Sequence, residues 1–131
     1  MLPTLWPGDL LTVESVGVQR VKPGDLVLYM REGRFFVHRL VEKRGGDRIL
    51  ITRGDCLSTR DAPVSSKDFL GKVAQVRRGG LNFAPRPKLS VFQLAFAQLL
   101  CHIAPLQQLV LRFHARYRAA GLDLTLVEDA C

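Results

Sequence analysis

Two Pro-Gly-Asp tripeptides, Pro7-Gly8-Asp9 and Pro23-Gly24-Asp25, constrain this chain more than any other feature. Proline presets φ and glycine supplies the positive φ that a type II turn needs, so each tripeptide reverses the chain over a few residues. After each comes a short run rich in β-branched or aromatic side chains, residues 10–16 and residues 26–30. Such runs bounded by turn signals read as strands. Arg31-Glu32-Gly33-Arg34 then makes a hairpin into residues 35–41, and Gly45-Gly46-Asp47 leads into residues 48–52. A polar loop from Gly54 to Ser66 and a short turn at Lys67-Asp68-Phe69-Leu70 precede a last alternating strand at residues 71–76, closed by Arg77-Arg78-Gly79-Gly80. The expectation is a mainly β body of about five or six short strands over residues 1–80, with a helical C-terminal part over residues 81–131. The repeated Pro-Gly-Asp could mark a duplication, but shared turn chemistry accounts for it more simply.

A chain of 131 residues with 47% hydrophobic content holds one domain and a tail. The net charge of +7 suits nucleic acid or an anionic membrane equally. Residues 1–80 carry 14 basic and 9 acidic side chains and residues 81–131 carry 5 and 3, so no basic block forms and no specific nucleic-acid partner is expected. Cys56, Cys101 and Cys131 are odd in number, at spacings that fit neither a zinc site nor a disulfide framework. They read as free thiols, and no metal or cofactor is expected. Pro3, Pro7, Gly8 and Asp9 interrupt the N-terminus at once, so no cleavable signal or anchor is expected there.

From Leu89 to Leu111 there are 23 residues without Asp, Glu, Lys or Arg, and a bilayer span takes about 20. Gln93, Gln98, His102, Gln107, Gln108 and an interior Pro105 argue against spanning. A helix broken near Pro105 and laid on the β body, a partner or a membrane surface fits better. Arg112, His114, Arg116 and Arg118 then give it a basic end, and Asp123, Glu128 and Asp129 mark an exposed tail.

Four ordered segments carry the chemistry. Met1-Leu2-Pro3-Thr4-Leu5-Trp6-Pro7-Gly8-Asp9 resembles the segment that follows the catalytic serine of the signal peptidase I family. Val21-Lys22-Pro23-Gly24-Asp25-Leu26-Val27 resembles that family's next box, and Val37-His38-Arg39-Leu40-Val41 the box that carries the general base. Thr52-Arg53-Gly54-Asp55-Cys56 with Asp61, then Leu70-Gly71-Lys72-Val73, resembles its acidic box and closing strand. The resemblance runs from residue 1 to about residue 78. A histidine at position 38, where typical bacterial members have lysine, implies the archaeal, endoplasmic-reticulum and sporulation-associated branch.

The resemblance implies a serine endopeptidase that cleaves signal peptides at a membrane, the cytoplasmic membrane being the expected location and the cytoplasm the alternative. It implies His38 as base, with Asp55 and Asp61 as the carboxylates that orient it or brace the site. A neutral imidazole accepts a hydroxyl proton near neutral pH with little tuning, and a carboxylate on its other nitrogen would fix its tautomer. Spacing leaves open which aspartate pairs with His38, Asp61 being the more natural. Taken singly, a strand histidine is more often a packed or surface residue, Gly54-Asp55 a turn, and Asp61 before Ala62-Pro63 loop chemistry; the ordered set carries the reading. Cys56 reads as a structural thiol rather than a nucleophile.

The resemblance puts the serine, and the backbone N–H that helps hold the oxyanion, at the residue immediately before Met1. Ser15, Ser58, Ser65 and Ser66 have no matching position, so a serine encoded just upstream is expected. The alternative is a non-catalytic peptide-binding or membrane-associated relative on the same scaffold. A self-cleaving repressor is disfavoured, because no helix-turn-helix precedes the β body and no lysine stands at position 38. The implied partner is an extended peptide or signal peptide, with a possible membrane surface through residues 89–111.

Overall fold

A computed structural model describes residues 2–88 and, beyond them, Ser90, Phe92, residues 95–97, Leu99, Gln108, Leu109, Arg112 and Arg116. The protein is mainly β. Strands β1 (Leu10–Glu14), β2 (Leu26–Arg31), β3 (Arg34–Arg44), β4 (Ile49–Arg53), β5 (Val64–Ser65), β6 (Phe69–Arg78) and β7 (Leu81–Phe83) form one seven-stranded sheet. Its order is β1-β6-β2-β3-β4-β5, with β7 also on β6, and every pairing is antiparallel. A 3₁₀ turn at Val18–Arg20 links β1 to the second Pro-Gly-Asp turn.

The two Pro-Gly-Asp turns are built alike. Asp9 N–H donates to the Trp6 carbonyl at 3.1 Å, while an Asp9 carboxylate oxygen accepts from Trp6 N–H at 2.8 Å. Asp25 repeats both bonds on Lys22, at 3.0 and 2.9 Å. Gly8 and Gly24 take φ of 86° and 101°, as a type II turn requires. Gly24 has a second constraint, because a Cβ there would stand 2.7 Å from the Pro87 carbonyl oxygen.

Strand alternation divides the apolar side chains between two clusters on opposite faces. Val27, Tyr29, Leu40, Leu50 and Val64 gather with Val18 and Val21 on one face. Leu26, Val73, Val76 and Leu5 gather on the other, with Val37, Leu11 and Val13 against them. His38 sits in register with Val27 on β2, and Arg39 with Leu26, so these neighbours in sequence point to opposite faces.

The sheet extends past the expected end of the body. β7 follows Gly79-Gly80 and pairs Leu81–Phe83 with Val76–Arg78. The short turn expected at residues 67–70 gives up Phe69 and Leu70 to β6, and β5 adds a two-residue strand inside the polar loop. Phe92, residues 95–97, Leu99, Gln108, Leu109, Arg112 and Arg116 are helical, and no helix of the described residues is long and apolar enough to cross a membrane. The break expected at Pro105 lies outside the described residues, as do Cys101 and Cys131.

Glu32 and Gly33, at the tip of the β2–β3 hairpin, have φ of 50° and 72°. Positive φ at both central residues matches the type I′ pattern, for which Asn-Gly is the favoured pair. Glu32→Asn should therefore raise stability by about 0.5–1 kcal/mol, measured as an upward shift of the urea midpoint at unchanged m-value.

Candidate active site

His38 lies midway along β3, with Phe36 and Tyr29 beside it on the same face. Both aromatic rings meet the imidazole edge-on, with centroids 6.2 Å away. These ring contacts restrict the imidazole's rotation.

The acidic box reaches His38 through a loop that leaves β4 and folds back. Asp61 N–H donates to the Thr52 carbonyl at 2.8 Å, and Arg31 Nη2 clamps the carbonyls of Ala62 and Pro63 at 2.7 and 2.8 Å. Asp61 is thereby held so that its Oδ2 stands 2.6 Å from His38 Nδ1. The fully buried Thr52 donates its hydroxyl to the same oxygen at 2.7 Å. Tyr29 completes the cluster, its hydroxyl 3.4 Å from both His38 Nδ1 and Thr52 Oγ1. Burial pushes the Tyr29 hydroxyl above its ordinary pKa; the nearby Asp61 charge adds to the rise and the Thr52 contact opposes it. The phenol therefore stays protonated at neutral pH.

An ionised carboxylate only accepts hydrogen bonds, so the proton between His38 and Asp61 sits on Nδ1. In the neutral ring this leaves the lone pair on Nε2. Nε2 has no hydrogen-bond partner among the described residues, yet no buried side-chain nitrogen or oxygen there lacks one. Nε2 is therefore not fully buried, on a side chain that is 18% exposed. It lies beside Gly54, where an added Cβ would stand 3.4 Å from Nε2 and 3.0 Å from Leu57 Cδ1, so the Leu57 side chain also packs at this spot.

Asp55 does something different. Arg39 Nε and Nη2 donate to its two oxygens at 2.7 and 2.9 Å, and Thr4 donates its hydroxyl to Oδ2. The Arg39 and Asp55 side chains are only 12% and 2% exposed. Arg39 Nη1 also reaches the carbonyls of Gly24, Arg86 and Pro87 at 2.7, 2.8 and 3.2 Å. The two aspartates of the acidic box thus serve opposite faces of β3, Asp61 the histidine and Asp55 the arginine.

Sequence reasoning missed Tyr29, Thr52 and Arg39 as members of this arrangement. Thr52 and Arg39 lie inside quoted motifs, and strand alternation was the signal that could have sorted them. Cys56 is half-buried beside Asp55. Among the described residues no group of three His, Cys, Asp or Glu side chains could hold a metal ion. No protein-family model, curated protein or solved structure matches the chain.

The two aspartates should separate in a denaturation experiment. Asp55→Ala strands a buried guanidinium and should cost about 3 kcal/mol or more. Asp61→Ala removes hydrogen bonds at a more open site and should cost about 1–2 kcal/mol. Urea midpoints of the two variants against the parent chain measure the difference.

Proposed function

We propose that this chain is the base-and-acid portion of a serine endopeptidase of the signal peptidase I type, acting through His38 and Asp61. The observation that carries the reading is the 2.6 Å bond from His38 Nδ1 to Asp61, with Nε2 left without a hydrogen-bond partner among the described residues.

The nucleophile in this reading is a serine at the position immediately before Met1. Thr4 bonds to Asp55, in the loop that also carries Gly54 and Asp61, so the N-terminal segment is tied to that loop from the Arg39 side. The serine hydroxyl gives its proton to His38 Nε2 as its oxygen attacks the scissile carbonyl. Asp61 stabilises the imidazolium that results, and Thr52, donating to the same oxygen, keeps the carboxylate aimed. The imidazolium then protonates the departing amine as the C–N bond breaks, leaving an acyl-serine. Water, deprotonated by the same Nε2, releases the acid and restores the serine. Asp55 braces this geometry from the opposite face through Arg39.

The substrate class is an extended peptide, with signal peptides as the expected members. Action at a membrane, with the uncharged stretch at residues 89–111 toward it, belongs to the same proposal.

The test uses the chain extended upstream by a serine joined to Met1, with a fluorogenic signal-peptide substrate in lipid-supplemented solution. The extended chain should cleave it. His38→Ala in that chain should abolish turnover while the protein stays folded, and Asp61→Asn should lower kcat on the order of 10⁴-fold by favouring the wrong tautomer. No cleavage by the folded extended chain, or full activity of His38→Ala, would overturn the proposal. The first of these results would leave a non-catalytic peptide-binding or membrane-associated module on the same scaffold.

A further inference from the structure

A concavity whose lining does not include His38 lies where the N-terminal segment at Pro3 and Thr4 meets the segment that follows β7. It has a volume of about 250 Å³, and its lining includes Thr4, Arg78, Phe83, Pro85, Arg86 and Lys88. Three of its lining side chains are cationic and none is acidic. Arg78 is already neutralised, its Nε and Nη2 bonded to the two Asp9 oxygens at 2.8 and 2.6 Å, and its Nη2 also donates to the Thr4 carbonyl at 3.0 Å. Its guanidinium lies 5.3 Å from the centre of the Phe83 ring, which fixes its plane at the wall. Arg86 and Lys88 are exposed, and neither has an ion-pair partner among the described residues.

Exposed cations by themselves are ordinary. These two differ because their backbone is pinned, the carbonyls of Arg86 and Pro87 being held by the buried Arg39. Pro85 and Pro87 stiffen the same stretch further. Both residues line the one concavity, which has a local excess of two positive charges after the Arg78–Asp9 pair is set aside. Clefts lined by one sign of charge concentrate counter-ions, and guanidinium and ammonium groups together suit the tetrahedral oxygens of a phosphate.

We infer that this concavity binds a phosphate-class anion, either the phosphodiester headgroup of an anionic lipid or free phosphate. The uncharged stretch begins at Leu89, directly after Lys88, so the site stands where the β body meets its most apolar segment. The inference does not depend on the peptidase reading.

Two arms test it on the full chain. In the first, the chain is co-sedimented with phosphatidylcholine vesicles with and without phosphatidylglycerol. Arg86→Gln/Lys88→Gln should lower the partition into phosphatidylglycerol vesicles by about tenfold or more. Arg48→Gln/Lys67→Gln, which removes the same charge from exposed positions outside the concavity, should stay within about twofold, since diffuse charge is then the only loss. In the second arm, inorganic phosphate is titrated while the amide resonances of Thr4 and Phe83 are followed. Saturable shifts that vanish in the Arg86/Lys88 variant assign free phosphate as a source, and vesicle binding without such shifts assigns the lipid. Equal losses in the two double variants, or no binding in either arm, would overturn the inference.

Discussion

A guanidinium and a carboxylate that are 12% and 2% exposed cannot both stay charged in a protein interior unless each satisfies the other. Arg39 and Asp55 do so through two parallel hydrogen bonds, and Arg39's remaining N–H groups gather the neighbouring chain. Through them the pair ties the N-terminal segment at Thr4, the turn at Gly24, the end of β4 and the connector at Arg86 and Pro87 to one point on β3. None of these segments is a long strand with a ladder of its own at that point. The buried pair stands in for that ladder, and it does so on the face of the sheet opposite to the histidine.

That separation of faces organises the chemistry. His38 and Arg39 are consecutive on a strand, so pleating sends one to each side. The loop after β4 repeats the division with its carboxylates: Asp55 continues the side of Arg53, which is in register with Arg39, and Asp61 returns to the side of Thr52, which is in register with Leu40. The arginine and the histidine thus use different carboxylates. A single aspartate serving both would have to trade the tautomer of the histidine against the charge of the arginine.

Much of the scaffold was legible in the sequence because its turns are chemically explicit. The Pro-Gly-Asp turns and the Glu32-Gly33 hairpin bracket β1, β2 and β3 close to where alternation puts them. The two-residue β5 and three-residue β7 were not legible, since strands that short carry no period to read and owe their pairing to β4 and β6. His38 and the aspartates stood out through the ordered motifs, but spacing could not divide Asp55 from Asp61. The division depends on where the loop folds back, which is set by the Asp61–Thr52 backbone bond and by Arg31 clamping Ala62 and Pro63, contacts some thirty residues apart in sequence for the clamp. The carbonyls of Arg86 and Pro87 on Arg39 are longer in range still, and no side-chain pattern announces a backbone acceptor.

The claim on which the catalytic account stands is that Asp61 fixes His38 with its proton on Nδ1 and its lone pair on Nε2. Imidazole ¹⁵N chemical shifts of the selectively labelled histidine, recorded on the folded chain at a pH where the ring is neutral, read this directly. The account predicts a protonated, pyrrole-like Nδ1 and a bare, pyridine-like Nε2, with that preference lost in Asp61→Ala. A ring protonated on Nε2, or a tautomer balance that Asp61→Ala leaves unchanged, would contradict it.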